Sequence, residues 1–428
     1  VNINPSLYAD SLSARVDAKP DSRFLFWSAR LLSAEVTPMK LRIFMLIVIG
    51  IVAFSIAAGA IWLLTLPLPG NHPPLPGLDS HEYETAMATL APPKRQRPLI
   101  AVIGINEATE TTDYLLPYGI LKRAGIADVM ALSMEDAPIR LYPALTVRAD
   151  ATAEQFDRRY PTGADYVIVP AMSRDDDPAV IAWLRHQKAK GAIIIGICAG
   201  AKVVAEAGLL DGRRATTHWY YLNSLLEKHP DIDYVANRRW VVDNGVVTTT
   251  GITASMPTML MLIEAIAGRE IAQHVGQDLG VTQWSAAHDS QSFRFTRPFA
   301  FTVIENTLAF WRKEQLALPL HTGIDEVSLA LVADAWSRTY RSRVTTFTPD
   351  HDTIVTRNGM QIIADRAATT SDNGTAVPVV DMAHPAAALT GTLNAIGRRY
   401  GLPTASVVAM QLEYPWPAAM PDHNADRN

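Results

Sequence analysis

The chain has one cysteine, Cys198, in 428 residues. An internal disulfide is therefore excluded, and no Cys/His spacing suited to zinc occurs. A lone thiol is either an inert small hydrophobe or a chemically special group. An excess of positive charge is also missing, since 38 Lys and Arg face 43 Asp and Glu for a formal charge of -5. Phosphate backbones require clustered cations, so nucleic acid is not an expected partner. Glycine-rich phosphate loops are absent. The acidic "HEYE" at 81 to 84 is too short for a metal site, and no metal or cofactor is implied.

Charge is also lacking throughout "IFMLIVIGIVAFSIAAGAIWLLTL", residues 43 to 66. A run of this length crosses a bilayer core of about 30 Å as one helix. It exceeds the apolar region of a secretory signal, typically about 7–15 residues, and no small-x-small cleavage site follows. Lys40 and Arg42 precede the run, and residues 67 to 93 carry neither Lys nor Arg, so the positive-inside rule places the N-terminus in the cytoplasm and the rest outside. "MKLR" at 39 to 42 has the form of a signal-anchor start, and translation from Met39 is the expectation. The Pro-rich stretch after the run reads as a spacer. The organisation read from these features is a cytoplasmic segment at 1–42, a membrane helix at 43–66, a linker at 67–94, an α/β domain at 95–281 and a C-terminal α/β region at 282–428.

From residue 99 apolar runs alternate with helix-period stretches, as in a parallel sheet sandwiched by helices. Runs at 99–105, 128–133, 164–170 and 192–197 predict strands. Stretches at 112–124, 152–160, 219–228 and 255–267 predict helices. "DDDP" at 175 to 178 reads as a capped helix start with Pro178 in the first turn, in preference to a metal site. Asn244-Gly245 predicts a hairpin turn. Residues 129–150 and 344–365 have the same length, apolar ends, a polar middle and a final Ala-Asp. Together with the later stretch at 385–410, which echoes 178–198, they suggest a truncated second copy of the unit. That copy would lack the cysteine and be silent.

"GICAGA" places Cys198 where a buried strand turns into a helix of small residues, the form of a nucleophile elbow. Gly196, Ala199 and Gly200 supply the small neighbours such a turn needs. The helix N-terminus would lower the thiol pKa, and the Ala199 N–H would face a developing oxyanion. On these residues alone an inert buried cysteine stays equally open.

The combination of "TTDYLLPYGIL" (111–121), "ICAGA" with "AEAGLLDGRRATTHW" (197–219) and "VVDNGVVTTTGITASM" (241–256) resembles the ThiJ/PfpI family of the class I glutamine amidotransferase-like superfamily. Within it the pattern is similar to isonitrile hydratase and to the amidotransferase-like domain of AraC-type regulators. The resemblance implies a flavodoxin-like α/β fold. It implies Cys198 as nucleophile, Asp113 as the acid that contacts its sulfur, and His218 as the imidazole beside it. The N–H groups of Ala199 and Met172 would form the oxyanion site. Two departures stand out: Ala171-Met172 replace the usual Gly-Gly, and Ala199 replaces the Thr of the isonitrile hydratase pattern. The expected activity is hydrolysis, hydration or deglycation of a small electrophile. The alternative is a non-catalytic ligand sensor or scaffold, although no helix-turn-helix or basic face follows the domain. A small-molecule substrate or ligand and the membrane are the expected partners, and association into homo-oligomers is left open.

Overall fold

The structure is a computed structural model that describes residues 38–70, 78–92, 94–348, 352–367, 375–377 and 384–416. The chain divides into two compact units, residues 1–64 and 65–428. The described part of the first is helical, within α1 (Pro38–Thr65). Its stretch Arg42–Thr65 is long and apolar enough to cross a membrane. Phe44 and Phe54 are exposed, whereas a helix of a protein core hides its apolar stripe. Expectations placed on residues 1–37 lie outside the described residues.

In the second unit the apolar runs form a seven-stranded sheet. Strands β1 (Leu99–Gly104), β2 (Asp128–Ser133), β3 (Ala151–Thr152), β4 (Tyr166–Val169), β5 (Ile193–Gly196), β6 (Trp240–Asp243) and β7 (Val246–Thr249) lie in the order β6-β7-β5-β4-β1-β2-β3. All neighbours are parallel except the β6–β7 hairpin. Asn244 and Gly245 turn that hairpin with φ of 49° and 70°, as a type I′ turn requires. Strands β1, β4 and β5 are buried along their whole length, which explains their unbroken apolar character. The helices α2 (Thr111–Ala124), α3 (Pro178–Ala189), α4 (Gly200–Glu206) and α5 (Ser255–Ala267) follow β1, β4, β5 and β7 in turn. Asp177 caps α3 by accepting from the N–H groups of Ala179 and Val180. The winding is flavodoxin-like. Its order reverses between β1 and β4, so a crevice opens there at the carboxyl ends of the strands.

Further along, α6 (Arg297–Leu308) leads into β8 (Glu314–Pro319), α7 (Glu326–Ser337), β9 (Ser342–Thr348), β10 (Arg366–Ala367), β11 (Thr375–Ala376), α8 (Pro385–Tyr400) and α9 (Leu402–Gln411). The four strands form a parallel sheet in the order β10-β9-β8-β11. Strands β1 and β8 begin 215 positions apart, at 99 and 314, as do β3 and β10, at 151 and 366. The strands Thr146–Arg148 and Gln361–Ile363, neighbours inside a second, five-stranded sheet, keep that offset and pair antiparallel, with Val147 opposite Ile362, its own counterpart. A local two-fold axis therefore passes between these two residues. Across it α2 packs on α7, where a Cβ on Gly119 would lie 2.5 Å from Glu326 Oε1 and 2.8 Å from Val327 Cγ2. The ion pairs are reciprocal. Glu110, the N-cap of α2, meets Arg338 at 2.7 Å, and Asp325, the N-cap of α7, meets Arg123. Each pair joins one helix start to the other helix end, as the two helix dipoles favour.

The likeness expected between 385–410 and 178–198 stops short. Where the first half continues into β5, the second forms another helix, α9. Gly401 ends α8 at φ 91°, Pro403 sits in the first turn of α9, and buried Thr404, Ala405, Val407 and Val408 follow helical spacing.

Candidate functional site

β5 ends at Gly196 and α4 begins at Gly200, leaving Cys198 in the turn with φ 55°. A left-handed residue with a Cβ costs about 1–2 kcal/mol, so its surroundings must hold it there. Two threonines do so. The Cys198 N–H donates to Thr249 Oγ1 at 3.0 Å, and the Cys198 carbonyl accepts from Thr217 Oγ1 at 3.0 Å. A Cβ on Gly200 would lie 2.0 Å from the Val169 carbonyl oxygen, so only glycine allows α4 to start this close to β4. Cys198 is 4% exposed. The Ala199 N–H acts on its sulfur to lower the thiol pKa.

Asp113, in the first turn of α2, is fully buried. Its Oδ2 accepts from the Ala171 N–H at 3.1 Å, and its Oδ1 is buried with no donor among the described residues. Glu110 accepts from the Thr112 hydroxyl at 2.9 Å, from the Asp113 N–H, and from Arg338. Arg338 also holds Asp334. Burial, joined for Glu110 by the charge of Asp113, pushes both Glu110 and Asp113 up to about 7, against the pull of Arg338. Burial and the charges of Asp113 and Glu110 push the Cys198 thiol well above its usual range. This corrects the expectation of a thiol lowered by its helix. One N–H on the sulfur at the head of a seven-residue helix does not offset desolvation beside two acids.

These acids set a pH dependence. Each holds its proton more tightly folded than unfolded, rising from 4.5 or 3.8 to about 7. Their stabilising contribution is therefore complete below about pH 4 and is lost as the pH rises through about 7. In the full chain in detergent, the thermal midpoint should fall between pH 5 and pH 8 by less in Glu110→Gln or Asp113→Asn than in the parent. An equal fall in all three would exclude these groups as its source.

His218 is buried too, and burial lowers its pKa. Its Nδ1 accepts from the Tyr220 N–H at 3.1 Å, while Nε2 lies 2.9 Å from the Gln411 carbonyl. The ring is thus fixed as the neutral Nε2–H tautomer. Both nitrogens are bonded to backbone, and neither is bonded to the thiol. Met172 forms an antiparallel bridge with Thr109. The flanking bonds run from Glu110 N–H to the Ala171 carbonyl and from Ser173 N–H to the Ala108 carbonyl, which turns the Met172 N–H away from that partner strand. Asp113, Ala199 and Cys198 thus meet at the crevice, with Met172 on the loop after β4.

Sequence reasoning missed Glu110, Arg338 and Glu413. Glu110 stands three residues before Asp113, the spacing of a cap. Arg338 follows Arg123 at the same 215-residue offset. Glu413 follows Cys198 at that offset too, and the two share a positive φ, 52° and 55°; it is buried and accepts from the Gly251 N–H and, at 3.2 Å, from His288. A cavity of about 380 Å³ lies beside this region, with Thr217, Trp219, Tyr234, Phe293 and Glu413 in its wall. Cys198 is not part of that wall.

A flavodoxin-like sheet with a cysteine in the turn after its buried fifth parallel strand defines the class: an α/β domain whose chemistry would sit at the strand ends. Residues 100–265 match the DJ-1/PfpI family model, and this part of the chain is a DJ-1/PfpI domain. The HTH-type transcriptional regulator CdhR of Pseudomonas aeruginosa is 32% identical over 163 residues, 37% of this chain and 47% of that protein. Isonitrile hydratase of Pseudomonas putida is 35% identical over 101 residues, 23% of this chain and 42% of that enzyme. The Parkinson disease protein 7 homolog of Danio rerio is 25% identical over 180 residues, 41% of this chain and 93% of that protein. The chain thus spans about half the length of the regulator and of the hydratase. Among solved structures, oxidized DJ-1 of Toxoplasma gondii is similar with a TM-score of 0.38 and 25% identity, covering 44% of this chain and all of that one.

Proposed function

We propose that this protein is a membrane-anchored DJ-1/PfpI-type enzyme in which Cys198 attacks a small electrophile, leading to hydrolysis, hydration or deglycation. The observation that carries the reading is Asp113 Oδ1, a buried acceptor with no donor among the described residues on a carboxyl pushed to about 7, whose charge acts on the thiol. A thiol that stays protonated at neutral pH needs a base during attack, and a carboxyl titrating near 7 is matched to that task. Sulfur bonds to the electrophilic carbon, the thiol proton passes to Asp113, and the charge that develops on the substrate heteroatom meets the Ala199 and Met172 N–H groups. Water then gives its hydroxyl to that carbon and its proton to the heteroatom, the C–S bond breaks, and Asp113 returns its proton to the departing sulfur. His218 acts as a positioning residue that ties the 217–221 segment to Gln411.

The turn at Cys198 is read as a nucleophile elbow, supported by its positive φ and by Gly200. The 215-residue offset supports reading 314–367 as a degenerate second copy. The α1 helix supports anchoring, with the enzyme outside the cytoplasm. The 4% exposure of Cys198 and the likeness to a transcriptional regulator favour ligand sensing as the second reading.

The test is consumption of methylglyoxal and of cyclohexyl isocyanide by the purified full chain. Turnover should vanish in Cys198→Ala and fall about 10²–10⁴-fold in Asp113→Asn, with a smaller fall in His218→Gln. Turnover unaffected by Cys198→Ala would refute the nucleophile. No consumption of either probe by a folded parent would favour the sensor.

A further inference from the structure

We propose that the outer face of α6 and the aromatic turn after it rest on lipid, seating the 65–428 unit on the interface of the membrane that α1 crosses; this depends on the membrane reading of α1.

The inward face of α6 presents Phe299, Ala300, Thr302 and Asn306 to the protein. Its outward face carries Phe301, Ile304 and Leu308, all exposed, at the three- and four-residue spacing of one helix stripe. The next turn adds Phe310 and Trp311, 71% and 69% exposed. Arg312 and Lys313 follow, exposed as well. Water does not favour five large apolar side chains gathered on a single helix and its C-terminal turn, and such a patch marks an interaction surface.

The attachment of the chain identifies the occupant. Three successive carbonyls just past α1 are fastened at the start of α6. Arg297 donates from its main-chain N–H to Pro67 at 3.0 Å and from its guanidinium to Leu66 at 3.3 Å, and Arg294 donates to Leu68 at 3.2 Å. Pro67 lies two residues beyond Thr65, a chain length of at most about 7 Å. The headgroup layer on each side of a bilayer is about 5–8 Å deep. A chain that leaves lipid at Thr65 therefore delivers the start of α6 into or beside that layer. An amphipathic helix with Phe and Leu on one side, a Trp at its end and cations beside it is suited to lie in this layer, with Arg312 and Lys313 drawn to anionic headgroups. The tether itself selects a bilayer over a second copy of the chain or another protein.

The experiment places a nitroxide at Phe301→Cys, Leu308→Cys or Trp311→Cys in full-length Cys198→Ala protein, reconstituted in phosphatidylcholine/phosphatidylglycerol vesicles. Accessibility to oxygen and to a water-soluble nickel complex is then read. The expected result is an oxygen-to-nickel ratio several-fold above that of a label at Glu154→Cys, whose side chain is 81% exposed. A ratio equal to that control, in protein that stays with the vesicles through alkaline washing, would overturn the proposal and leave the span intact. Loss of the protein on alkaline washing would overturn the span, and the proposal with it. Dipolar broadening between labels on different copies would overturn it in favour of self-association.

Discussion

Replacing Arg338 by alanine is expected to lower the stability of the 65–428 unit by about 3–5 kcal/mol, because it leaves buried carboxylates without their counter-charge. Arg338 meets Glu110 and Asp334 at once, and those side chains are 8% and 0% exposed. Burial already drives Asp334 well above the usual carboxyl range, with Arg338 opposing that rise. Without the guanidinium both acids would take up protons more readily. The loss should therefore be larger at pH 8 than at pH 5, where protonation relieves the charge. Arg338→Lys should recover part of the stability, since it keeps the charge but not the fork that reaches two acids. Arg123→Ala should cost less, because its partners Asp278 and Asp325 are 34% and 21% exposed and keep water. Thermal unfolding of the full chain in detergent measures all three. Equal midpoints for Arg338→Ala and the parent at pH 8 would mean that the acids are neutral in the fold and need no cation.

The second large effect concerns the thiol. With Asp113 and Glu110 beside it, Cys198 should react slowly with iodoacetamide at pH 7.5 and accelerate only in strongly alkaline solution. The Glu110→Gln, Asp113→Asn double variant removes both charges. Each unit of resulting fall in thiol pKa gives about tenfold more thiolate at a fixed pH below it. Alkylation at pH 8 should accordingly rise by about tenfold or more. Unfolding in urea should bring parent and variant to the same ordinary rate, which separates electrostatics from access. Alkylation and turnover should then move in opposite directions, because the change that frees the thiolate removes the base proposed to accept its proton. A parent thiol that already reacts fast at pH 6, unchanged in the double variant, would show that these acids do not govern the sulfur.

Much of the fold was legible because local chemistry and tertiary packing agree. The runs at β1, β4 and β5 are rich in Ile and Val and buried from both sides. Asp177-Pro178 and Asn244-Gly245 do locally what their sequences prescribe. The segment 402–411 was harder, since "LPTASVVAM" has apolar residues that suit a strand or a helix, and Pro403 in a first turn decides for the helix. At the site, Cys198 and Asp113 stand on local motifs. The state of the thiol depends on what lies far away in sequence: Arg338 reaches Glu110 across 228 positions, and Gln411 holds His218 across 193. No window around Cys198 contains those residues. Its helix-start position therefore pointed to a low thiol pKa, while burial and the acids raise it.

The axis between Val147 and Ile362 has one more consequence. Two separate chains meeting across such an axis come apart on dilution, and any group that one lends the other is lost with them. Here both sides belong to a single chain, so the local concentration of one for the other does not depend on how much protein is present. Arg338 therefore stays beside Glu110 in a lone molecule as surely as at high protein concentration.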